Sequence, residues 1–374
     1  MLTRLALTQF RSYAALTWRP ASRIAVITGP NGSGKTNLLE AVSLLVPGRG
    51  LRNARLPELP RQAPDAPGTW GVAARLRRDG DVTDLATGSA PDGGSDRRVF
   101  RLNGAAPRSQ AEVAATMAAV WLTPQMDRLF QEGASGRRRF LDRLAWALEP
   151  SHAREVSAYE TAMASRNRLL ATGADPLWLA GTEDSMARHA VAATAARATL
   201  VAQLNATPPP GPFPAARLHL LDPVADRLVD APALAVEDWL RAQLHANRGA
   251  DAAAGSAQLG AHRADMALSD AATGLPASLA STGQQKALLI GVVLGHAALM
   301  AEARGDAPLL LLDEPAVHLD ADRRAALWEA LAGLSAQVLL TGTDPEPFAP
   351  LQGVAEGLQT GGGTLRPDPA FPPV

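Results

Sequence analysis

The chain has no cysteine among its 374 residues, which excludes a disulfide framework, a thiolate metal site and a cysteine nucleophile. It also lacks any uncharged apolar run of about 18 residues, the length that a membrane-spanning helix needs. Its N-terminus, Met1–Arg4, leads into an alternating strand pattern rather than the apolar core of a signal peptide. We therefore expect a cytoplasmic protein that is neither secreted nor embedded in a membrane.

Lysine is nearly absent: of the 36 basic residues, Lys35 and Lys286 are lysine and the others are arginine. Where arginine would serve, this sequence uses arginine. A compact ammonium on a flexible stem fits between two phosphates, whereas a planar guanidinium is too broad for that position. Lys35 is therefore expected to be present for its chemistry, while the position of Lys286 has no such explanation from the sequence.

Lys35 belongs to the segment 29–36, Gly-Pro-Asn-Gly-Ser-Gly-Lys-Thr, which matches the phosphate-binding loop pattern G-x-x-x-x-G-K-[ST] at every fixed position. An apolar strand pattern precedes it and an amphipathic helix pattern follows it. Its glycines allow successive N–H groups to point at phosphate oxygens at the positive end of the helix. The predicted nucleotide contacts are Gly29, Pro30, Asn31, Gly32, Ser33, Gly34, Lys35, Thr36 and Asn37.

A second motif supplies the acids that nucleotide hydrolysis needs. The apolar run Leu309–Leu312 reads as a buried strand that ends in Asp313 and Glu314, at the edge where parallel sheets place ligand chemistry. This is the Walker B pattern. We predict that Asp313 and the Thr36 hydroxyl hold Mg²⁺, and that Glu314 orients or deprotonates the attacking water while Lys35 binds the phosphates.

The segment 281–286, Ser-Thr-Gly-Gln-Gln-Lys, opens a long helical pattern and resembles the signature of ABC-type ATPases. In that superfamily the signature of one subunit closes over the nucleotide held by its partner. The resemblance therefore adds Ser281, Gly283 and Gln284 as contacts to a partner's nucleotide, and assigns Gln125, at the Q-loop position, to magnesium or water. Leu319–Asp320 corresponds to the D-loop, and Thr343 stands where transporter ATPases usually carry a switch histidine.

The spacing of these motifs favours one branch of the superfamily. The 245 positions between Thr36 and Ser281 exceed a transporter insertion and fall far short of SMC coiled-coil arms, which resembles the RecF family. Three further segments are similar to that family's sequences: 7–13, 133–142 and 260–265. Unlike typical members, the chain has Glu314 after the Walker B aspartate and Val317–His318 before the D-loop.

This resemblance implies an ATP-dependent DNA-binding protein of recombinational repair, replication and the SOS response. Such a protein dimerises on ATP, clamps gapped DNA at single-strand to double-strand junctions, and is reset by weak DNA-stimulated ATP hydrolysis. The implied partners are a second copy of the chain, RecR and RecO, and indirectly RecA. Two alternatives stay open: a transporter-type ATPase subunit, and an ATP-binding module without turnover.

The expected fold is α/β, with an ABC-type ATPase core of mixed sheets, an inserted and mostly helical second lobe, and no long coiled coil. Hydrophobic periodicity turns helical near residue 126 and returns to core patterns near 258. The expected parts are 1–125 and 258–360 for the ATPase lobe, 126–257 for the helical lobe, and 361–374 for a flexible tail.

A basic cluster at the start of the helical lobe is the candidate DNA contact. It consists of Arg137, Arg138, Arg139 and Arg143. Guanidinium groups suit duplex phosphates, and such contacts make binding fall steeply with salt. The alternative interpretation of the cluster is a solvated helix start. Likewise His262 and Arg263 serve either a ligand or a buried polar network.

Overall fold

The computed structural model describes residues 1–64, 66–90, 97–305 and 307–371. The chain divides into two compact units. The first, here called the sheet lobe, comprises Met1–Asp127, Pro209–Pro214 and Thr282–Val374. The second, the helical lobe, comprises Arg128–Pro208 and Ala215–Ser281.

The sheet lobe contains a five-stranded antiparallel sheet. Its strands are β1 (Leu2–Phe10), β2 (Tyr13–Trp18), β4 (Gly71–Arg78), β5 (Asp81–Ser89) and β6 (Arg98–Leu102), in the order β2-β1-β4-β5-β6. Along β4 the buried residues Val72, Ala74 and Leu76 alternate with exposed ones. That period of two turns one face of the sheet toward the core and the other toward solvent.

A six-stranded mixed sheet carries the sequence motifs. Its strands are β3 (Ile24–Thr28), β7 (Ala119–Leu122), β10 (Leu309–Leu312), β11 (Val338–Gly342), β12 (Ala355–Gly361) and β13 (Thr364–Pro367), in the order β13-β12-β3-β11-β10-β7. All pairs are parallel except β12 with β13. Because β3, β7, β10 and β11 are buried along their whole length, they read as continuous apolar runs, and their carboxyl ends share one edge.

Among the residues that the structure describes, four α-helices belong to the sheet lobe. They are α1 (Lys35–Ser43), α2 (Gln110–Thr116), α9 (Thr282–Arg304) and α10 (Ala321–Gly333). Leu38 and Val42 of α1 share one hydrophobic cluster with residues of both sheets. By length and composition α9 could span a membrane, but 78% of its most apolar stretch is buried inside the protein. It is therefore packed as a core helix.

The helical lobe is built from α3 (Ala134–Leu148), α4 (His152–Thr172), α5 (Pro176–Ala206), α6 (Pro223–Asp230), α7 (Ala233–Ala246) and α8 (Arg248–Ala254), with a two-stranded antiparallel sheet of β8 (Ala216–Leu221) and β9 (Asp265–Asp270). Within the described ranges the longest helix is α5, at 31 residues. The predicted mixed sheets, helical insertion and absence of a long coiled coil are confirmed for these residues.

A buried ionic network joins helices of the helical lobe. The Arg166 guanidinium donates to Glu183 at 3.0 Å and to Asp251 at 2.7 Å, and all three side chains are at most 1% exposed. The partly exposed Arg248 guanidinium also binds the Glu183 carboxylate, at an N–O distance of 2.6 Å. Because each buried charge has a partner of opposite sign, the network links α4, α5 and α8 without leaving an uncompensated ion.

The boundaries of the helical lobe differ from those predicted. Residues 258–281, predicted to belong to the ATPase lobe, lie with the helical lobe because β9 pairs with β8. Residues 209–214 instead belong to the sheet lobe. The Pro214 carbonyl oxygen packs closely against α9, because a Cβ on Gly291 of that helix would lie only 2.4 Å from it. Strand pairing over such a sequence separation leaves no local pattern, so the sequence did not reveal it.

The prediction of a flexible tail at 361–374 is wrong for residues 364–371, whereas 372–374 lie outside the described residues. β13 pairs antiparallel with β12. The buried carboxylate of Asp368 accepts hydrogen bonds from the Thr28 hydroxyl at 2.9 Å and the Gln359 amide at 3.1 Å. Phe371 is buried against Gly357. The Gly and Pro content of the tail therefore marks a tight turn and an edge strand rather than disorder.

Candidate functional site

The loop between β3 and α1 has the conformation that its glycines permit. Gly29 has φ +148°, Gly32 +80° and Gly34 +109°, values in the region that favours glycine. A Cβ on Gly29 would lie 2.6 Å from the Thr360 carbonyl oxygen, and one on Gly34 would lie 2.7 Å from the Ser12 hydroxyl. Both conformation and close packing therefore require glycine at the ends of the loop.

Lys35 is the first residue of α1, and its side chain lies over the loop. The ammonium donates to the carbonyl oxygens of Gly29 at 2.6 Å and Pro30 at 3.1 Å. Within the part of the chain that the structure describes, the Ser33 hydroxyl is buried with no hydrogen-bond partner. An ammonium, an unsatisfied hydroxyl and a helix N-terminus at one loop form a site that fits phosphate oxygens.

Thr36 and the Walker B aspartate meet at the carboxyl edge of the mixed sheet. The Thr36 hydroxyl is 3.0 Å from each carboxylate oxygen of Asp313, and the Thr341 hydroxyl at the end of β11 donates to the same carboxylate at 2.6 Å. Thr341 was not predicted as a site residue, although it lies in a strand pattern that ends in hydroxyls.

These oxygen donors fit Mg²⁺. Within the described ranges, no group of three His, Asp or Glu side chains could hold a metal ion. Mg²⁺ is commonly bound by one or two protein oxygens, with phosphates and water completing the octahedron. Thr36 and Asp313 are the two residues that would hold it, and their role as metal ligands stays a prediction.

Gln125, the third predicted metal contact, is exposed in a short 3₁₀ helix, Pro124–Arg128. The buried side chain of that segment is Asp127. Its Oδ2 lies 3.4 Å from the Lys286 ammonium and 3.3 Å from His318 Nδ1. The acid two positions along, rather than the glutamine, therefore connects this segment to the motifs around it.

Lys286 is buried on α9 and contacts the Walker B segment directly. Its ammonium donates to the Glu314 carbonyl oxygen at 2.9 Å. Burial lowers the pKa of Lys286, and the nearby carboxylates of Asp127, Glu314 and Asp313 partly offset that effect. From the sequence alone Lys286 was notable only for its rarity, yet the structure places it beside the predicted catalytic glutamate.

The backbone of Glu314 is held on both sides. Its φ is +50°, in the left-handed region that is uncommon for residues other than glycine. Its N–H donates to the Thr341 hydroxyl at 3.0 Å, and its carbonyl accepts from Lys286. The side chain is partly exposed, which suits a group that has to meet a water molecule.

The signature residues lie at the start of α9. Ser281 is exposed just before the helix, and Gly283 and Gln284 are in its first turn. A Cβ on Gly283 would lie 2.5 Å from the His318 carbonyl oxygen, so a glycine is required by packing within one chain. Within one chain, the signature helix therefore packs against the segment that follows Walker B. The P-loop contacts the Walker B aspartate, Asp313, through Thr36.

Other residues support the P-loop from β2, from β12 and from the turn between β1 and β2. The Tyr13 hydroxyl donates to the Gly34 carbonyl oxygen at 3.0 Å, and the Thr360 hydroxyl donates to that of Ser33 at 2.9 Å. Asn37, predicted as a nucleotide contact, donates to the Ser12 hydroxyl at 3.0 Å and accepts from Arg52 at 2.6 Å. In this structure Asn37 therefore braces the loop.

Three of the four predicted DNA contacts are engaged within the helical lobe. Arg137 forms two hydrogen bonds with the Asp265 carboxylate, at 2.7 and 2.8 Å. Arg138 donates to the Ala264 carbonyl oxygen at 2.8 Å, and the partly buried Arg143 lies over the Phe140 ring. Arg139 is exposed. Arg137 and Arg138 thus connect α3 to the start of β9, while Arg139 faces solvent; the DNA contact of all four arginines stays a prediction.

His262 belongs to a polar network rather than an open site. Its Nδ1 accepts from the Tyr159 hydroxyl, and its Nε2 donates to the Ala257 carbonyl oxygen at 2.9 Å. Burial lowers the pKa of His262, which favours the neutral ring that these two bonds require. Arg263, beside it, is exposed.

Comparison with known sequences gives one consistent result. Residues 1–354 match the model of the RecF/RecN/SMC N-terminal domain family. A DNA replication and repair protein RecF from Mesorhizobium japonicum is 44% identical over 371 residues, covering 98% of this chain and 97% of that protein. Another RecF, from Rhizobium rhizogenes, is 44% identical over 355 residues, covering 94% of each.

Solved structures show the same fold. The structure of a recombination mediator protein, RecF-ATPrS in the RecFOR pathway, matches with a TM-score of 0.83 at 21% identity and covers 98% of both chains. An SMC head bound to the C-winged helix domain of ScpA matches with a TM-score of 0.52 at 16% identity, covering 98% of this chain and 96% of that one. The fold is therefore that of RecF and SMC-head ATPases of the ABC type.

Proposed function

The chain belongs to the RecF proteins of the RecF/RecN/SMC family, and from that premise we propose that it is an ATP-dependent DNA-binding protein of recombinational repair and replication. ATP is the proposed nucleotide, bound by the P-loop with Lys35 on its phosphates. Mg²⁺, held by Thr36 and Asp313, would neutralise charge on the phosphate oxygens when bound. The protein would act in the cytoplasm, where DNA and ATP are both present.

The observation that carries this proposal is the contact between Thr36 and Asp313, at 3.0 Å to both carboxylate oxygens. It unites the P-loop and the Walker B strand in one oxygen-lined position. Glu314 follows directly on the same edge and is the proposed group that orients or deprotonates the attacking water. Together these residues would supply the nucleotide-binding and hydrolytic groups that each chain contributes to its own ATP.

Dimerisation is proposed from the position of the signature. Ser281 is exposed, and Gly283 and Gln284 form the first turn of α9. A helix N-terminus of this kind suits a phosphate supplied by another subunit. We propose that two copies pair head to tail, so that the signature of each copy covers the ATP held by the other, and that hydrolysis releases the pair.

The proposed ligand of the dimer is gapped DNA at single-strand to double-strand junctions. The exposed arginines Arg139 and Arg263 are the candidate phosphate contacts in the helical lobe, because exposed guanidinium groups bind duplex phosphates without reading bases. The chain has only two tyrosines, which argues against recognition led by stacking on single strands. RecR and RecO are the proposed protein partners, with RecA acting afterwards.

The test is sedimentation of a Glu314→Gln variant with ATP and gapped DNA. Slow hydrolysis would be blocked, so we expect a stable dimer on DNA that the wild-type protein forms only transiently. A variant that stays monomeric with both ligands present contradicts the clamp. Binding to gapped, duplex and single-stranded DNA at two salt concentrations is measured in parallel, because phosphate contacts weaken steeply with salt.

Two other outcomes point to the alternatives. Stable association with a membrane protein during purification would favour a transporter-type ATPase subunit. ATP binding without any DNA-stimulated phosphate release in the wild-type protein would favour a binding module that does not turn ATP over.

A further inference from the structure

Lys286 is an unusual residue for its position. It is one of two lysines in a chain with 36 basic residues, it is 1% exposed, and it lies in the first turns of the signature helix α9. Burial of an ammonium is costly unless hydrogen bonds and opposite charge compensate it. The groups that compensate it therefore indicate what the residue does.

One of those groups is the backbone of Glu314. The Lys286 ammonium is 2.9 Å from the Glu314 carbonyl oxygen, and the Glu314 N–H is bound to Thr341 on the opposite side. With φ at +50°, Glu314 has a conformation that persists only where its surroundings impose it. These two hydrogen bonds impose it from α9 and from β11.

The other group is Asp127. Its Oδ2 lies 3.4 Å from the Lys286 ammonium and 3.3 Å from His318 Nδ1, while within the described residues its Oδ1 is buried without a hydrogen-bond partner. Asp127 therefore balances the charge of Lys286. Removing the lysine alone would leave the buried Asp127 carboxylate without its ammonium partner.

The segment from Glu314 to His318 packs against α9 at its His318 end as well. His318 also has a left-handed φ, +66°, and its carbonyl oxygen would be only 2.5 Å from a Cβ on Gly283. The signature helix thus contacts both ends of this five-residue bend. A displacement of α9 would move the carbonyl that Lys286 holds.

We propose that Lys286 is a positioning residue for Glu314, holding its carbonyl so that the glutamate faces the attacking water, with Asp127 keeping the lysine in place. The movement of the signature helix on closure over a partner's nucleotide would thereby be transmitted to the hydrolytic glutamate of the same chain. This inference rests on the proposed ATPase activity and deepens it.

The experiment compares Lys286→Met with the double variant Lys286→Met/Asp127→Asn in the full-length protein. Methionine keeps the length and removes the charge, and the second change removes the unpaired carboxylate. Val293→Ala, a buried position on the same helix, is the matched control for loosened packing. For each protein, ATP affinity, kcat and KM in the presence of gapped DNA, and the melting temperature are measured.

We expect both lysine variants to lose about tenfold to a hundredfold in kcat, the usual cost of a misplaced catalytic group, with ATP affinity and KM within about threefold of wild type. The double variant should recover much of the melting temperature lost in the single variant while its kcat stays low. The Val293→Ala control should lower the melting temperature without a selective loss of kcat.

Recovery of kcat together with stability in the double variant would overturn the proposal, because Lys286 would then be merely structural. An unchanged kcat in Lys286→Met would overturn it as well. A wild-type protein that binds ATP without hydrolysing it contradicts the proposed ATPase activity, and with it the positioning role. A hydrolysing wild type with unaffected lysine variants contradicts the role of Lys286 alone.

Discussion

Thr36 and Asp313 are separated by 277 positions in the sequence, yet the Thr36 hydroxyl lies 3.0 Å from both carboxylate oxygens of Asp313. The contact exists because β3 and β10 both neighbour β11 in a parallel arrangement, so that the segments after them leave the sheet at the same edge. The Thr341 hydroxyl at the end of β11 donates a further hydrogen bond to the same carboxylate.

The first prediction concerns this contact. Thr36→Val keeps the shape of the side chain and removes its hydroxyl, so affinity for ATP with Mg²⁺ should fall about 10- to 100-fold, the value of a hydrogen bond or ligand to a charged group. Affinity for ATP in excess EDTA should change little. Calorimetric titration under both conditions measures the difference. Thr161→Val, at an exposed position, is the control, and equal losses with and without Mg²⁺ would exclude a metal role.

The second prediction tests whether the P-loop needs the ammonium of Lys35 or would accept a guanidinium at the same position. Lys35→Arg retains the positive charge but replaces a compact ammonium with a broad planar group. Because the ammonium packs against the loop carbonyls of Gly29 and Pro30 at 2.6 and 3.1 Å, the guanidinium would displace the loop. We expect tight ATP binding to be lost, with a smaller fall in the melting temperature without nucleotide, because the displaced loop is packed locally. Unchanged ATP affinity would overturn the role given to Lys35.

Local chemistry made the nucleotide motifs predictable from the sequence. The P-loop requires glycines and one lysine in a fixed order, and the apolar strand before Asp313 reads directly as a buried parallel strand. Thr36 and Asp313 were predicted to act together, and they are in contact. That prediction rested on the P-loop and Walker B patterns together with the rule that parallel strands present their carboxyl ends at one edge.

The residues that the sequence did not reveal depend on contacts between distant segments. Asp127 and Lys286 are 159 positions apart, and nothing in the composition around either shows that they form a pair. Arg137 and Arg138 read as a basic surface cluster, yet Asp265 and the Ala264 carbonyl, more than a hundred residues away, bind them. A run of basic residues in the sequence indicates that cations are present, but it does not indicate which groups bind them.

The third prediction concerns pH. Burial raises the pKa of Asp142, but hydrogen bonds and charge from His152 and Arg197 outweigh it, so the pKa is below its usual range. The ionised form is therefore favoured in the folded state. Its stabilisation is present above the unfolded pKa, about 3.9, and is lost as pH falls through the folded pKa.

Asp142→Asn should accordingly flatten the loss of stability in acid. It should also lower stability near neutral pH by about 3–5 kcal/mol, because Arg197 is 2% exposed and would lose its carboxylate partner. Urea unfolding between about pH 7 and pH 2 measures both effects. Asp84→Asn, which breaks an exposed pair with Arg75, should remain close to wild type. An acid limb unchanged in Asp142→Asn would contradict the linkage.

The fourth prediction concerns the C-terminal residues that the sequence suggested were flexible. Phe371 is 4% exposed, and a Cβ on Gly357 would lie 2.4 Å from its side chain, so its ring fills space against β12. Phe371→Ala should lower the free energy of unfolding by about 3–5 kcal/mol, the usual cost of removing a buried aromatic ring. Arg366→Ala, on the exposed face of β13, should change it by less than about 0.5 kcal/mol. Urea unfolding measures both variants, and equal small effects would show that the tail contributes no packing energy.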